Sequence, residues 1–352
     1  MIGGQTSFLQ ALGWAVLNSL WQMALLWVLF QLITAVFRNT RSSQKSLLAV
    51  LMLFGGFSWF IYTFISVYSQ ASANGTIPPG IATVSIPDVN NWIQKILPIA
   101  SVIYLLLLAV PVSRFIRNYR YVQVIRRYGL NKIDVKWRVF VQQVAAQMGI
   151  RKPVHIWVSE LITSPVTVGF LKPVILMPMA AINNLSMQQM ESVLLHELSH
   201  IRRHDYILNL LINLVQTFLY FNPFVKAFVR IVEKEREKSC DETVLQFQYN
   251  SYEYATALLT LEKNNKTDQS FVLAGSGHCY DLLQRIEAIV GVKRKKRFTL
   301  NKFAGVIAGL ICMITINALV IANNRTKENK RTVATRTRIH TQSDLSRHEP
   351  GS

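Results

Sequence analysis

Charge is scarce in this sequence. Only 16% of its 352 residues are Asp, Glu, Lys or Arg, where soluble domains carry about a quarter. Hydrophobic residues make up 51%, and the mean hydropathy is positive. Because the apolar excess is gathered in long runs, an ordinary soluble enzyme is excluded and a membrane protein expected. Acids are scarcer still, with 19 Asp and Glu against 38 Lys and Arg, a formal net charge of +19. The sequence has no zinc finger, helix-turn-helix or RNA-binding signature, so direct nucleic acid binding is not expected. The basic residues instead sit beside apolar runs, where they set orientation and meet anionic lipid head groups. Three scattered cysteines, Cys240, Cys279 and Cys312, supply no disulfide framework and fit a reducing compartment. The opening MIGGQTS carries no positive charge, and the apolar run behind it is too long for a cleaved signal, so it reads as a retained first span.

Four runs pass the length test for a membrane span: about residues 8–37, 46–68, 93–113 and Phe303 to Ala322. Asn18, Gln22 and Gln31 interrupt the first and are expected to face other helices. Arg38, Arg41 and Lys45 follow the first run, no Lys or Arg lies between Ser69 and Trp92, and Arg114, Arg117, Arg120, Arg126 and Arg127 follow the third. The positive-inside rule then places the N-terminus outside and the large region after the third run in the cytoplasm. The KRKKR cluster at Lys293–Arg297 agrees, whereas the basic tail after the fourth run does not. The expected organisation is a three-span region at 1–113, a cytoplasmic domain at 114–298, a fourth span at 299–322 and a polar, basic, disordered tail at 323–352.

Inside the cytoplasmic region, Val135 to Met148 has a helical amphipathic period. HIWVSE at 155–160 and PVILMP at 173–178 read as short strands, separated by a Ser164-Pro165 turn and VTVGF. Ser186 followed by Gln189 predicts a capping box, with Leu185 and Met190 as its hydrophobic staple. The run Tyr206 to Phe221 carries a polar stripe of Asn209, Asn213 and Gln216 and ends at Asn222-Pro223. It is short for a crossing and reads as a core or membrane-surface helix. A further helix is expected from Pro223 to about Phe247.

The chemistry centres on His196-Glu197-Leu198-Ser199-His200. On a helix, residues four apart share a face, so both imidazoles can reach one zinc ion. Glu197 lies beside that point and can act as general base on a water there. His204 lies eight residues from His196, about 12 Å along a helix axis, too far to share the ion; it reads as a charge or hydrogen-bonding group at the helix end. Further on, Glu233, Glu237 and Asp241 form one carboxylate face. Spacing alone leaves two readings open: a solvated face paired with Lys234, Arg236 and Lys238, or a face in which Glu237 is a ligand and Asp241 orients a ligating histidine.

HELSHIRRHD at 196–205, FNPF at 221–224, REKSCDE at 236–242 and SPVTVGFLKPVILMP at 164–178 together resemble the BlaR/MecR-type membrane metallopeptidases, over about residues 8–322. The resemblance implies a mainly α integral-membrane protein with about four transmembrane helices and a zincin-like (gluzincin) α+β cytoplasmic domain with a small sheet. It implies His196, His200 and Glu237 as zinc ligands, Glu197 as base and Asp241 as the carboxylate behind the ligands. Cys240 is assigned no catalysis, only the role of a small buried thiol. In peptidases of this type a substrate adds to an edge strand near the metal; VTVGFLKPVILMP is the candidate, with Gly169 permitting close approach, and a plain packing hairpin is the alternative.

The antibiotic-sensing relatives carry a penicillin-binding sensor after the fourth span. About 30 mostly polar residues follow here, with no SxxK nucleophile, so the expectation is a chain lacking that sensor. The expected activity is metal-dependent peptide hydrolysis at a bacterial inner membrane. Its partners would be membrane lipids and a protein or peptide substrate, a transcriptional repressor among the candidates. A quality-control peptidase of the HtpX or CAAX-protease kind and a non-catalytic signalling scaffold stand as alternatives. Tyr249, Tyr254 and His278 are candidates for stabilising an oxyanion, without a preference among them.

Overall fold

The computed structural model describes residues 2–37, 40–74, 87–247, 249–267 and 276–292. The expected fourth span at 299–322, the KRKKR cluster and the basic tail lie outside them. The described chain is mainly helical with one small mixed sheet, and it divides into two compact units.

Three helices open the chain: α1 (Ile2–Val36), α2 (Ser42–Asn74) and α3 (Pro87–Arg127). Each contains a stretch long and apolar enough to cross a membrane, at Ser7–Val36, Ser42–Ser69 and Ile96–Arg127. Among the described residues these are the three such helices. α3 runs without a break past residue 113 and carries its arginines on a continuous basic extension.

The first unit holds Met1–Leu25 with Ser58–Leu106. Its helices approach closely where Gly13 meets α3: a Cβ there would lie 2.6 Å from Leu97 Cδ2 and 2.8 Å from Ser101 Oγ. Gln22 is buried and its amide donates to Thr63 of α2 at 3.0 Å, as expected for a polar residue turned toward a neighbouring helix. Asn18 differs. It donates to Trp14 O at 2.9 Å and accepts from Trp21 Nε1 at 2.9 Å, so its own helix satisfies it.

The second unit, Leu26–Phe57 with Leu107–Lys296, contains the sheet and the HExxH helix. Strands β1 (Leu130–Lys132), β2 (His155–Ser159), β3 (Val166–Val168) and β4 (Val174–Pro178) are ordered β1-β2-β4-β3. β2 and β4 pair in parallel, and β1 and β3 flank them antiparallel. The side-chain period of two splits the central strands between two layers. Ile156, Val158, Ile175 and Met177 face the main core, while Trp157, Val174 and Leu176 join Ile125 of α3 and Val168 of β3 on the other side. With both faces covered, β4 is buried throughout, which is why its sequence is a continuous apolar run.

Against the main core pack α4 (Val135–Gln147), α6 (Met187–Arg202), α9 (Ser251–Thr267) and α10 (Ser276–Ile289), with the short α5 (Met179–Asn184) following β4. α6 begins with the expected capping box: Gln189 N donates to Ser186 Oγ at 3.3 Å and Ser186 N to Gln189 Oε1 at 3.1 Å. α7 (Asp205–Phe218) spans 14 residues, about 21 Å and too short to cross a bilayer. α8 (Pro223–Gln246) starts where Asn222 Oδ1 accepts from Phe224 N at 3.0 Å and Val225 N at 3.4 Å, with Pro223 in the first turn. Its first turns pack on the end of α1, Phe228 against Phe30 and Phe224 against Trp27, with ring centroids 5.8 and 6.0 Å apart.

Candidate active site

One turn apart on α6, His196 and His200 turn their Nε2 atoms toward each other at 3.2 Å. From α8, Glu237 presents Oε2 3.5 Å from His196 Nε2 and Oε1 3.7 Å from His200 Nε2. A tetrahedral ion with bonds of about 2.1 Å has ligand atoms about 3.4 Å apart. The three side chains therefore have the separation such an ion requires. Two imidazoles and one carboxylate are also the protein donors that catalytic zinc sites use.

Behind each imidazole stands a carboxylate. An ion bound at each Nε2 would leave the hydrogen on Nδ1. His200 Nδ1 donates to Asp205 Oδ2 at 2.7 Å. His196 Nδ1 lies 2.9 Å from the Tyr254 hydroxyl and 3.3 Å from Asp241 Oδ1, and Tyr254 in turn donates to Asp241 Oδ1 at 2.6 Å. Arg285 of α10 grips Asp241 through Nε and Nη2, both at 2.9 Å, and its Nη1 lies 3.2 Å from Glu237 Oε2. Such partners fix ring orientation and raise the basicity of ligating nitrogens.

Carboxylates dominate the surroundings of His196. Burial opposes a charge on His196, but the nearby Asp241 and Glu237 carboxylates outweigh it and hold the imidazole at about 10. Burial alone would raise Asp241; hydrogen bonds from His196 and Arg285 bring it down to about 2. Glu237 is likewise held well below the usual carboxylate range, against burial, by His196, His200 and Arg285. Burial pushes the Tyr254 hydroxyl and the Cys240 thiol up, so both stay protonated. Cys240 Sγ lies 3.6 Å from His200 Nδ1, and His200, Asp205 and Cys240 form a second cluster of potential ligands. That Nδ1 is already committed to Asp205 and the thiol is neutral, so the cluster supports His200 and the thiol acts as a small buried group.

Glu197, 8% exposed, is held by the Thr167 hydroxyl, which donates to its Oε2 at 2.8 Å. Thr167 belongs to β3, an edge strand, so the sheet's border runs beside the glutamate. Gly169 follows β3 with φ +95°, and a Cβ there would stand 2.8 Å from the Lys172 carbonyl. The turn into β4 thus supplies a local reason for glycine at this position.

Of the residues singled out in the sequence, His196, His200 and Glu237 come together, Glu197 stands beside them and Asp241 behind. The uniformly solvated acidic face does not form: Glu233 is exposed, Glu237 turns to the histidines and Asp241 is buried. Arg236 is buried with Nε 3.8 Å from Asp205 Oδ2, and Lys234 bonds Gln284. His204 makes no cap hydrogen bond; its ring packs edge-on against Phe170, centroids 5.4 Å apart. Tyr254 is fully buried with its hydroxyl between His196 and Asp241, and Tyr249 bonds Glu191 at 3.2 Å, so neither faces the reacting centre as an oxyanion donor. The His278 side chain lies outside the described residues.

Sequence reasoning missed Asp205, Thr167, Arg285 and the role of Tyr254. Asp205 stands in the HELSHIRRHD motif, but its place depends on His204, whose φ of +57° is the one positive value at a non-glycine residue among the described residues. This left-handed residue breaks the helical register and turns the chain so that Asp205 reaches back to His200. Arg285 and Tyr254 come from helices with no local signal pointing at the metal motif.

Beside His200 lies a cavity of about 250 Å³, walled by Thr167 and Gly169 from the β3 edge. Tyr206 borders it and also a wider cleft of about 620 Å³ between α3 and α7.

A spanning helical region joined to a histidine-glutamate cluster marks a membrane protein of the metallopeptidase class. The sequence profile described as BlaR1 peptidase M56 matches residues 63–289, and the chain belongs to that family. Among its relatives, the methicillin resistance mecR1 protein of Staphylococcus aureus is 24% identical over 208 residues, covering 57% of this chain and 34% of the relative. The regulatory protein BlaR1 of Bacillus licheniformis is 40% identical over 88 residues, 25% of this chain and 14% of that protein. BlaR1 of Staphylococcus aureus is 25% identical over 245 residues, 66% and 39% respectively. The chain thus spans well under half the length of these relatives.

Proposed function

We propose that this chain is a zinc endopeptidase of a bacterial cytoplasmic membrane, with its zincin-like domain in the cytoplasm and a regulatory protein as substrate. The family's regulatory relatives favour a transcriptional repressor or similar signalling protein over a broad set of misfolded ones. The observation that carries the reading is the convergence of His196 Nε2, His200 Nε2 and a Glu237 carboxylate at separations of 3.2–3.7 Å, with Glu197 next to His196 in the chain. Zinc held there would supply Lewis acidity, acidifying a water and polarising the scissile carbonyl.

The remaining work falls to the chain's own side chains. Glu197, oriented by Thr167, takes the proton from the attacking water and passes it to the leaving amine. Asp205 and the Asp241–Tyr254 pair keep both imidazoles turned inward. A substrate strand laid along β3, with Gly169 at its end, would bring a peptide bond beside Glu197. The absence of Lys and Arg between Ser69 and Trp92, against the arginines after Arg114, supports the cytoplasmic placement.

Glu197→Gln tests the assignment. The purified variant is expected to keep its zinc by elemental analysis while peptide hydrolysis falls by a factor of about 10² to 10⁴. Unchanged hydrolysis would rule out this peptidase mechanism.

A further inference from the structure

We propose that the cavity beside His200 selects substrates with an acidic side chain next to the bond to be cleaved, a specificity that rests on the peptidase reading of the site. Arg151 and Lys152 line it from the connection between α4 and β2, and Arg202 and His204 from the end of α6, the Arg202 guanidinium also donating to Thr243 Oγ1 of α8 at 3.5 Å. No Asp or Glu lines it among the described residues. The acids nearby have partners: Glu197 accepts from the Thr167 hydroxyl, Asp205 pairs with His200, Asp241 with Arg285 and Tyr254, and Glu237 with both histidines and Arg285. The Lys152 ammonium is fixed in the wall, donating to the Phe170 carbonyl at 2.9 Å and lying 3.7 Å from that ring's centroid.

The size suits one side chain. About 250 Å³ corresponds to roughly eight water volumes at ~30 Å³ each, enough for a carboxylate arm with some of its hydration. A peptide added along β3 would point every second side chain to the same face. One of these can enter between Thr167 and the α6 end, beside His200. The separate cleft that Tyr206 also borders carries the same sign of charge, with Arg114 and Lys226 on its lining and again no acid among the described residues. An acidic side chain therefore meets complementary charge at the cavity, and a basic one meets repulsion; specificity is the difference between the two.

Because the chain carries a formal charge of +19, the test must separate this cavity from general attraction. The full-length Glu197→Gln protein in lipid nanodiscs, loaded with zinc, is offered a pooled peptide library with one position set to Asp, Glu, Asn, Gln or Lys in random flanks. At physiological salt we expect Asp and Glu peptides to be recovered about ten-fold over their amide counterparts. In Arg151→Gln/Arg202→Gln the ratio should fall below about two-fold, and in Arg151→Lys/Arg202→Lys it should largely return. The remote pair Lys132→Gln/Arg230→Gln, equal in charge change, should leave it intact. Equal recovery of acidic and amide peptides, or the same loss in the remote pair, would overturn the proposal. This readout needs no turnover, so failure of the Glu197 test in the native protein would strike the peptidase reading separately.

Discussion

The side chains behind the two histidines hold the proposed site in shape. Asp205 sits 2.7 Å from His200 Nδ1, and Asp241 closes a network with Tyr254 and Arg285 behind His196. Asp205→Asn keeps the shape but removes the carboxylate that accepts from His200 Nδ1 and orients the ring. Zinc affinity is expected to fall by about 10- to 100-fold, measurable by competition with a chromophoric chelator. Asp241→Asn should behave alike and, because it also loosens Arg285 and Tyr254, by the larger factor. Thr167→Val removes the hydroxyl 2.8 Å from Glu197 Oε2 without touching the ligands. Zinc content should be unchanged while kcat falls by roughly ten-fold or more with little movement in KM; a KM effect alone would argue against an orienting role.

At the scale of elements, two helices do most of the positioning. α6 owes its start to Ser186 and Gln189, and Gln189 Nε2 also donates to Glu253 of α9 at 3.0 Å. Its register over ten buried positions, from Met190 to Ile201, sets both histidines. Ser186→Ala should cost about 1 kcal/mol, read as a lowered midpoint in thermal unfolding of the detergent-solubilised protein, with zinc stoichiometry retained once folded. α8 is the second helix. Its N-terminal turns pack on α1, Glu237 faces the histidines, and one turn later Glu242 accepts from Ser42 at the start of α2 at 2.8 Å. The helix that brings the third proposed ligand is thus tied at several points to helices long and apolar enough to cross a membrane.

For the molecule as a whole, the distribution of basic residues supports the proposed orientation in the membrane. A single cysteine introduced at Gly80 should react with an impermeant maleimide on intact cells, and one at Lys132 only after permeabilisation. The opposite pattern would reverse the orientation and move the catalytic region outside.

Much of this protein was legible in its sequence because the relevant signals are local. Run length and hydropathy mark α1, α2 and α3; the Ser186–Gln189 box marks α6; a four-residue spacing places His196 and His200 on one face; and β2 and β4 appear as apolar runs of strand length. β1 and β3, three residues each, leave no such trace, since pairing with a neighbour is all that makes them strands. Helical periodicity gives an angle about an axis and says nothing of what stands opposite. Only the packing of α8 on α6 decided that Glu237, rather than Glu233, comes within reach of both imidazoles, and that Asp241 stands behind His196. The left-handed turn at His204, the arrival of Arg285 and Tyr254, and the border of β3 against Glu197 arise from contacts between segments far apart in the chain. Those contacts exist only once the core between the sheet and helices α6, α8, α9 and α10 has formed.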